Sequence, residues 1–275
     1  MKPAPFDYVA ATEMSEALTA LHQGGSEARV IAGGQSLVPM LNMRLARPAT
    51  LVDITRIPEL ARIEVKGGQV TIGAAVRQST LERWPELADR LPLVRAALPW
   101  VGHMQLRNRG TVCGSVAHAD PSAELPLCLI ALGGTVTLRS RRKTRTVAAR
   151  DFFHGMMSTA LAPGEMIESV AFPAREDGTG YAFREVARRH GDFAIVACAA
   201  IARPDGTATL AVGGVADTPA TLDLPADPKD LDDRLNEFAW HLRARDDLHA
   251  TARYRRDLVR RLGHATLKEA LSCRD

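Results

Sequence analysis

Two short glycine-rich segments, far apart in the chain, constrain this sequence more than any other feature. The first is Val30-Ile31-Ala32-Gly33-Gly34-Gln35-Ser36-Leu37. The second is Arg109-Gly110-Thr111-Val112-Cys113-Gly114-Ser115, closely followed by His118-Ala119-Asp120-Pro121. Each sets small residues with uncovered backbone N–H groups in a row, the arrangement by which a loop presses its main chain against a diphosphate. Neither fits a nucleotide-hydrolase or Rossmann pattern, and either one alone is as readily an ordinary turn. Together they predict one dinucleotide gripped from two sides.

The rest of the composition narrows the alternatives. A chain of 275 residues with 46% hydrophobic and 24% charged residues can bury a real core in one large or two medium domains. Its 35 basic and 32 acidic residues leave a net charge of +3, too balanced to imply nucleic acid or a membrane surface. An aromatic content of 5% is poor material for stacking single strands. The four cysteines, Cys113, Cys128, Cys198 and Cys273, include no C-x-x-C pair, and His103, His118 and His154 are scattered, so no metal site is expected. The start of the chain lacks a basic region followed by an apolar core, and no apolar run approaches the ~18 residues of a membrane span. A reducing, cytoplasmic location is the expectation.

Along the chain, Thr12 to Gln23 reads as a helix capped by Thr12, with Met14, Ala17, Leu18 and Leu21 on one face. Arg29 to Ala32 and Leu51 to Ile54 read as strands, with a short irregular helix at Leu37 to Leu45, where Met40 and Met43 are expected to fill core. Hairpins are predicted around Lys66-Gly67-Gly68 and around the basic stretch Arg139 to Arg145, the latter as a solvated tip. Ser79 is placed as a cap, Pro92 to Trp100 and Pro121 to Leu132 as helices, and Gly164 to Pro173 as a strand. The polar stretch Pro173 to Gly180 is the best boundary. After it, Tyr181 to Val186, Phe193 to Ile201 and Ala208 to Val215 predict three antiparallel strands, and two helical segments run from Leu231 to the end.

These residues resemble the flavoprotein (medium) subunit of the molybdenum hydroxylases, the group typified by aerobic carbon monoxide dehydrogenase, and are similar to the flavin domain of xanthine dehydrogenase. The resemblance rests on Ala32 to Leu37, on Arg107 to Pro121, on Arg184 to Ala194, which looks like the opening of that family's C-terminal domain, and on Gly213-Gly214-Val215. It implies an α+β fold: a two-subdomain FAD-binding domain of the PCMH (vanillyl-alcohol-oxidase-like) type over 1–175, divided near 55, then a C-terminal domain over 176–275 with a three-stranded antiparallel sheet and helices.

Carried over residue by residue, the resemblance implies that the backbone of Ala32 to Ser36 holds the FAD pyrophosphate, flanked by Val30, Ile31 and Leu37, with the Ser36 hydroxyl added. Thr111, Val112, Cys113, Gly114 and Ser115 would grip the same diphosphate and the ribityl chain from the other side, with His118 nearby. Asp120 would accept hydrogen bonds from the flavin, and Ile167 would pack on it. Arg184 stands where xanthine dehydrogenase-like members carry a lysine near the isoalloxazine; carbon monoxide dehydrogenase-like members carry theirs one residue on, at Glu185. Cys113 replaces a glycine of many members, so it is either a left-handed position under strain or a small residue beside the cofactor.

Nothing in the sequence resembles a molybdopterin site, a [2Fe–2S] ligand set or the cysteine-bearing insertion of some relatives. The implied protein is therefore an FAD electron-transfer subunit, partnered by a large molybdopterin subunit and a small iron–sulfur subunit in a dimer of heterotrimers. A self-sufficient oxidase or reductase of the two-loop FAD class is the alternative; the segment after Gly180 carries no cluster of acid–base residues to support it.

Overall fold

The computed structural model describes residues 2–226 and 228–274. Its first unit is a small parallel sheet in which Thr50–Asp53 lies between Asp7–Ala10 and Ala28–Ile31. The strand Asp7–Ala10 is absent from the sequence reading because it is a half-exposed edge without alternation. The helix Met14–Gly24 buries Met14, Ala17, Leu18 and Leu21, the four residues expected on its inner face. Its cap is not Thr12. The Glu16 carboxylate reaches back and accepts from the backbone N–H of Thr12 at 2.8 Å, so the helix starts two residues later than expected, after Glu13.

The second sheet has five antiparallel strands. The two predicted hairpins, Ile63–Lys66 with Gln69–Gly73 and Thr135–Arg139 with Thr144–Ala148, flank a central strand, Met166–Pro173. Ile72, Val136 and Val170 meet at its centre with no solvent contact. The basic run is only partly a free tip: Arg139 pairs with Glu168 and Arg145 with Glu165, each at 2.7 Å, while Arg141 and Arg142 are exposed. Ser79 lies inside the short helix Gln78–Glu82, whose cap is Arg77.

The third sheet has four antiparallel strands, one more than the three predicted: Gly180–Ala187, Ala194–Ala202, Ala208–Gly213 and Ala220–Leu224. The added strand is a short edge between Pro219 and Pro225, with half its residues facing water, which hides its strand pattern. The helices Leu231–His241 and Ala252–Ser272 cover one face, and the helices Pro92–Ala97 and Glu124–Ala131 of the preceding unit cover the other. Covered on both faces, Ala194–Ala202 is buried at every position and reads as an unbroken apolar run. The side chains divide by alternation. Ala182, Val196, Cys198 and Leu210 join the core under the long C-terminal helices, whereas Phe183, Ala197, Ala199 and Ala211 join the core of the preceding unit.

Candidate functional site

The first loop leaves the edge strand Ala28–Ile31 at its C-terminal end. Gly34 sits at φ +70°, a left-handed conformation open to glycine at little strain. Gly33 meets a different constraint: a Cβ there would lie 2.2 Å from the carbonyl oxygen of Arg109. The two glycine segments therefore touch main chain to main chain. The Gln35 side-chain amide donates to the Gly33 carbonyl at 3.1 Å, and Val38 N–H donates to the Gly34 carbonyl at 2.9 Å as the helix Leu37–Asn42 begins. The backbone N–H groups of Gly33, Gly34, Gln35 and Ser36 donate to no other described residue. Such groups are rarely left without an acceptor when a site is dry, and here they border an open cleft.

The second loop is built the opposite way, with most of its groups already engaged. Arg107 grips both oxygens of Glu82 at 3.0 and 3.1 Å and also donates to the carbonyls of Val101 and Gly102. Gln78 N–H donates to the Gly110 carbonyl at 2.8 Å, and Val112 N–H to the Val76 carbonyl at 3.2 Å, stapling the loop to the segment before it. Thr111 then caps the helix Val112–His118, its hydroxyl accepting from Gly114 N–H at 3.0 Å. Cys113 lies within that helix, so the left-handed alternative does not hold. Its thiol donates to the Ile72 carbonyl at 3.4 Å, and burial pushes its pKa up to about 12, which makes it an inert packing group. The helix ends at Ala119, held at φ +52°, and this left-handed turn carries the chain to Asp120. Asp120 accepts from Ser122 N–H at 2.8 Å, so part of its acceptor capacity is spent on its own turn.

Between the loops and the third sheet lies a cleft of about 1490 Å³. All the predicted site residues from Val30 to Leu37 line it, as do Thr111, Cys113, Gly114, Ser115, His118, Asp120 and Ile167. Gly214 and Val215 close it from the third sheet, where Gly214 N–H donates to the Pro121 carbonyl at 2.8 Å. Met40 lines the cleft and Met43 is 51% exposed, so neither is the core filler expected.

Two predicted residues are elsewhere. Val112 is fully buried beneath the helix it begins. Arg184 is exposed on the far face of its strand and pairs with Glu269 of the C-terminal helix at 2.7 Å. Strand alternation decides this: with Phe183 facing the preceding unit, Arg184 faces away and Glu185 faces in.

Sequence reasoning passed over Glu124 as a site residue. It opens the helix Glu124–Ala131, lines the cleft and is 7% exposed. Burial first, and the Asp120 charge second, push its carboxyl up to about 7. Its signal was present in the sequence as a lone acid at the head of the apolar run Leu125-Pro126-Leu127-Cys128. Among the described residues no group of histidine, cysteine and carboxylate side chains is placed to hold a metal ion, and no helix is long and apolar enough to cross a membrane.

Comparison with known proteins agrees with this geometry. Residues 4–175 match the family described as the FAD binding domain in molybdopterin dehydrogenase. The chain is 38% identical over 284 residues to the 6-hydroxypseudooxynicotine dehydrogenase complex subunit alpha of Paenarthrobacter nicotinovorans, spanning 98% of this chain and 96% of that one. It is 39% identical over 206 residues to the carbon monoxide dehydrogenase medium chain of Hydrogenophaga pseudoflava, spanning 75% of this chain and 72% of that one. A solved structure of carbon monoxide dehydrogenase from Hydrogenophaga pseudoflava, lacking the Mo-pyranopterin moiety of the molybdenum cofactor, matches 100% of both chains with a TM-score of 0.94 at 32% identity. The chain therefore belongs to the FAD-binding medium subunits of the molybdopterin dehydrogenases, flavoprotein components of oxidoreductases.

Proposed function

We propose that the cleft holds FAD through the main chain of Ala32 to Ser36 on one side and of Thr111 to Ser115 on the other. The observation that carries this reading is the run of backbone N–H groups from Gly33 to Ser36, unengaged among the described residues, in a segment that lines the cleft beside the second loop. Their partial positive charges, fixed by the Gly34 turn and the Gln35 hydrogen bond, suit a diphosphate. The Ser36 and Ser115 hydroxyls have the reach to add donors, and Ile167 offers an apolar wall, 5% exposed, against which a planar ring would rest. Glu124 and Asp120 supply acceptors for hydroxyl or imide N–H groups. On this reading the FAD-binding domain spans 1–175 and the domain that closes the site spans 176–275.

The bound flavin would supply two-electron and one-electron redox chemistry, receiving electrons from the iron–sulfur centres of a small subunit, fed by molybdenum in a large one, and yielding them to an external acceptor. This chain's own contribution is binding, orientation and the exclusion of water; none of its residues acts as a nucleophile. The working assembly is a cytoplasmic dimer of heterotrimers, in which the large subunit selects the substrate. A visible spectrum of the purified chain, with mass identification of the chromophore released by heat, tests the proposal. Flavin bands and released FAD are expected, and a chain that stays colourless with added FAD, both alone and co-expressed with the neighbouring subunits, would overturn it.

A further inference from the structure

The seam between the second and third sheets contains a carboxyl group with nothing to bind. Glu185 is 7% exposed, and neither of its oxygens has a hydrogen-bond partner among the described residues. An ionised carboxylate left this way loses its hydration and gains no donor in return, so the charged form is strongly disfavoured. The register of the third sheet shows what faces it. Glu185 lies opposite Ala197, and Ala197 opposite Gly213. A Cβ at Gly213 would stand 3.2 Å from the Pro121 carbonyl oxygen and 3.4 Å from the Leu127 side chain. The Gly213 end of this row therefore abuts the turn before Glu124, and the helix that Glu124 opens packs on both strands that continue the row from Glu185.

The charged and titratable surroundings are few. The one neighbouring strand presents Ala197 and the strand beyond it Gly213, which carry none. The helix Glu124–Ala131 presents Glu124 and the buried thiol of Cys128, with Asp120 just before it. The helix Pro92–Ala97 carries a single charged side chain, Arg95, and it is exposed. Arg184 and Glu269 neutralise each other on the opposite face. Among the described residues no cation is paired with Glu185 or hydrogen-bonded to it.

Resting on the FAD reading above, we propose that Glu185 is a positioning residue: it is protonated at neutral pH and donates across the seam to the Glu124 carboxylate, fixing a single negative charge at that wall of the cofactor cleft. The protonated acid turns one of the two orphaned oxygens into a donor and removes the charge from the other. Burial, and then the Glu124 charge, raise the Glu185 carboxyl to about 8, in keeping with this role. Above that pH a second charge appears beside the first. FAD affinity then falls about ten-fold, the effect of roughly one pK unit of added repulsion.

The test is an infrared pH titration of the purified full chain, paired with FAD affinity measured by fluorescence between pH 6 and pH 9. The wild type is expected to show a protonated-carboxyl stretch lost through pH 8, and Glu185→Gln should lack that component and keep only the one that Glu124 loses near pH 7. The alkaline fall in FAD affinity should vanish in Glu185→Gln, whose amide donates but cannot ionise. Glu185→Leu, which can do neither, should bind FAD several-fold more weakly even at pH 7. Identical infrared spectra for wild type and Glu185→Gln would overturn the protonated state, and identical affinity profiles would overturn the positioning role. A chain that binds no FAD at any pH would sink the proposed function instead, while the infrared titration would still decide the proton.

Discussion

The two glycine loops face one another across a single contact, yet they are stabilised in opposite ways. The second is held by the protein itself: Arg107 bonds to Glu82 and two carbonyls, two backbone hydrogen bonds staple residues 110 and 112 to the preceding segment, and Thr111 caps the helix that follows. The first keeps only Gln35 on Gly33 and the entry into its helix, and leaves a run of N–H groups uncommitted. One loop is a rigid abutment and the other holds its hydrogen-bonding capacity in reserve for something outside the chain. The lesson is that a gripping site needs asymmetry. A loop that spends most of its amides internally can offer a ligand only a few, and a loop with none used has no fixed shape.

The sharpest way to break this comparison is to force the loops apart. At Gly33 a Cβ would stand 2.2 Å from the Arg109 carbonyl oxygen, a contact that no rotamer change relieves because both sides are backbone. Gly33→Val is expected to abolish flavin retention, with a loss of at least ~100-fold in FAD affinity, equivalent to about 2.7 kcal/mol. Isothermal titration of the folded variant measures it. Affinity within a few-fold of wild type would mean that contact between the loops is unnecessary for binding.

Both loops were legible in the sequence because their chemistry is local: glycine, serine and threonine at fixed spacing declare a backbone that must be bare. The hairpins were legible for the same reason, from Gly67-Gly68 and from strand alternation around the basic tip. What the sequence concealed depends on long-range arrangement. Arg184 and Glu185 are adjacent, and only the registration of their strand between two layers decides which of them faces the cofactor unit. Glu124 was passed over because its burial depends on the third sheet packing against its helix. The edge strands Asp7–Ala10 and Ala220–Leu224 were missed because pairing with a neighbour, rather than burial, holds them in place.

That concealed seam predicts how stability responds to pH. Glu124 and Glu185 have carboxyls raised from the usual 4.5 to about 7 and about 8, so between pH 5 and 8 the folded state binds more protons than the unfolded one. Stability must therefore fall as pH rises through this window, by up to about 1.4 kcal/mol per pH unit for each proton held. Depressed carboxylates, among them Asp247 at about 2 and Glu165 below its ordinary value, act in the opposite sense, but at pH below their unfolded values. Urea unfolding at pH 5.5, 7 and 8.5 checks the slope, and a flat or rising profile would contradict a buried protonated pair. The abutment predicts a smaller effect. Thr111→Ala removes the cap on Gly114 N–H and should lower stability by about 1 kcal/mol. FAD affinity should weaken only in proportion, and Thr111→Ser should restore most of both. A large affinity loss without destabilisation would show that the second loop binds as actively as the first.

The smallest effect is expected where the sequence resemblance and the structure diverge. If Arg184 contacted the flavin, removing its charge would weaken FAD binding markedly. The structure instead pairs it with Glu269 on the solvent side of the sheet, with the two side chains 47% and 40% exposed. An ion pair that open to water is worth about 0–1 kcal/mol and is screened by salt. Arg184→Ala should shift the denaturation midpoint only slightly, and that shift should shrink at high ionic strength. FAD affinity and the flavin spectrum should be those of the wild type, because no atom of Arg184 lines the cleft. A perturbed flavin spectrum in this variant would mean that the strand turns its other face to the cofactor, and Glu185 would then lose its place beside Glu124. The mildest substitution in the series is for that reason a direct check on the register from which the whole reading of the seam is built.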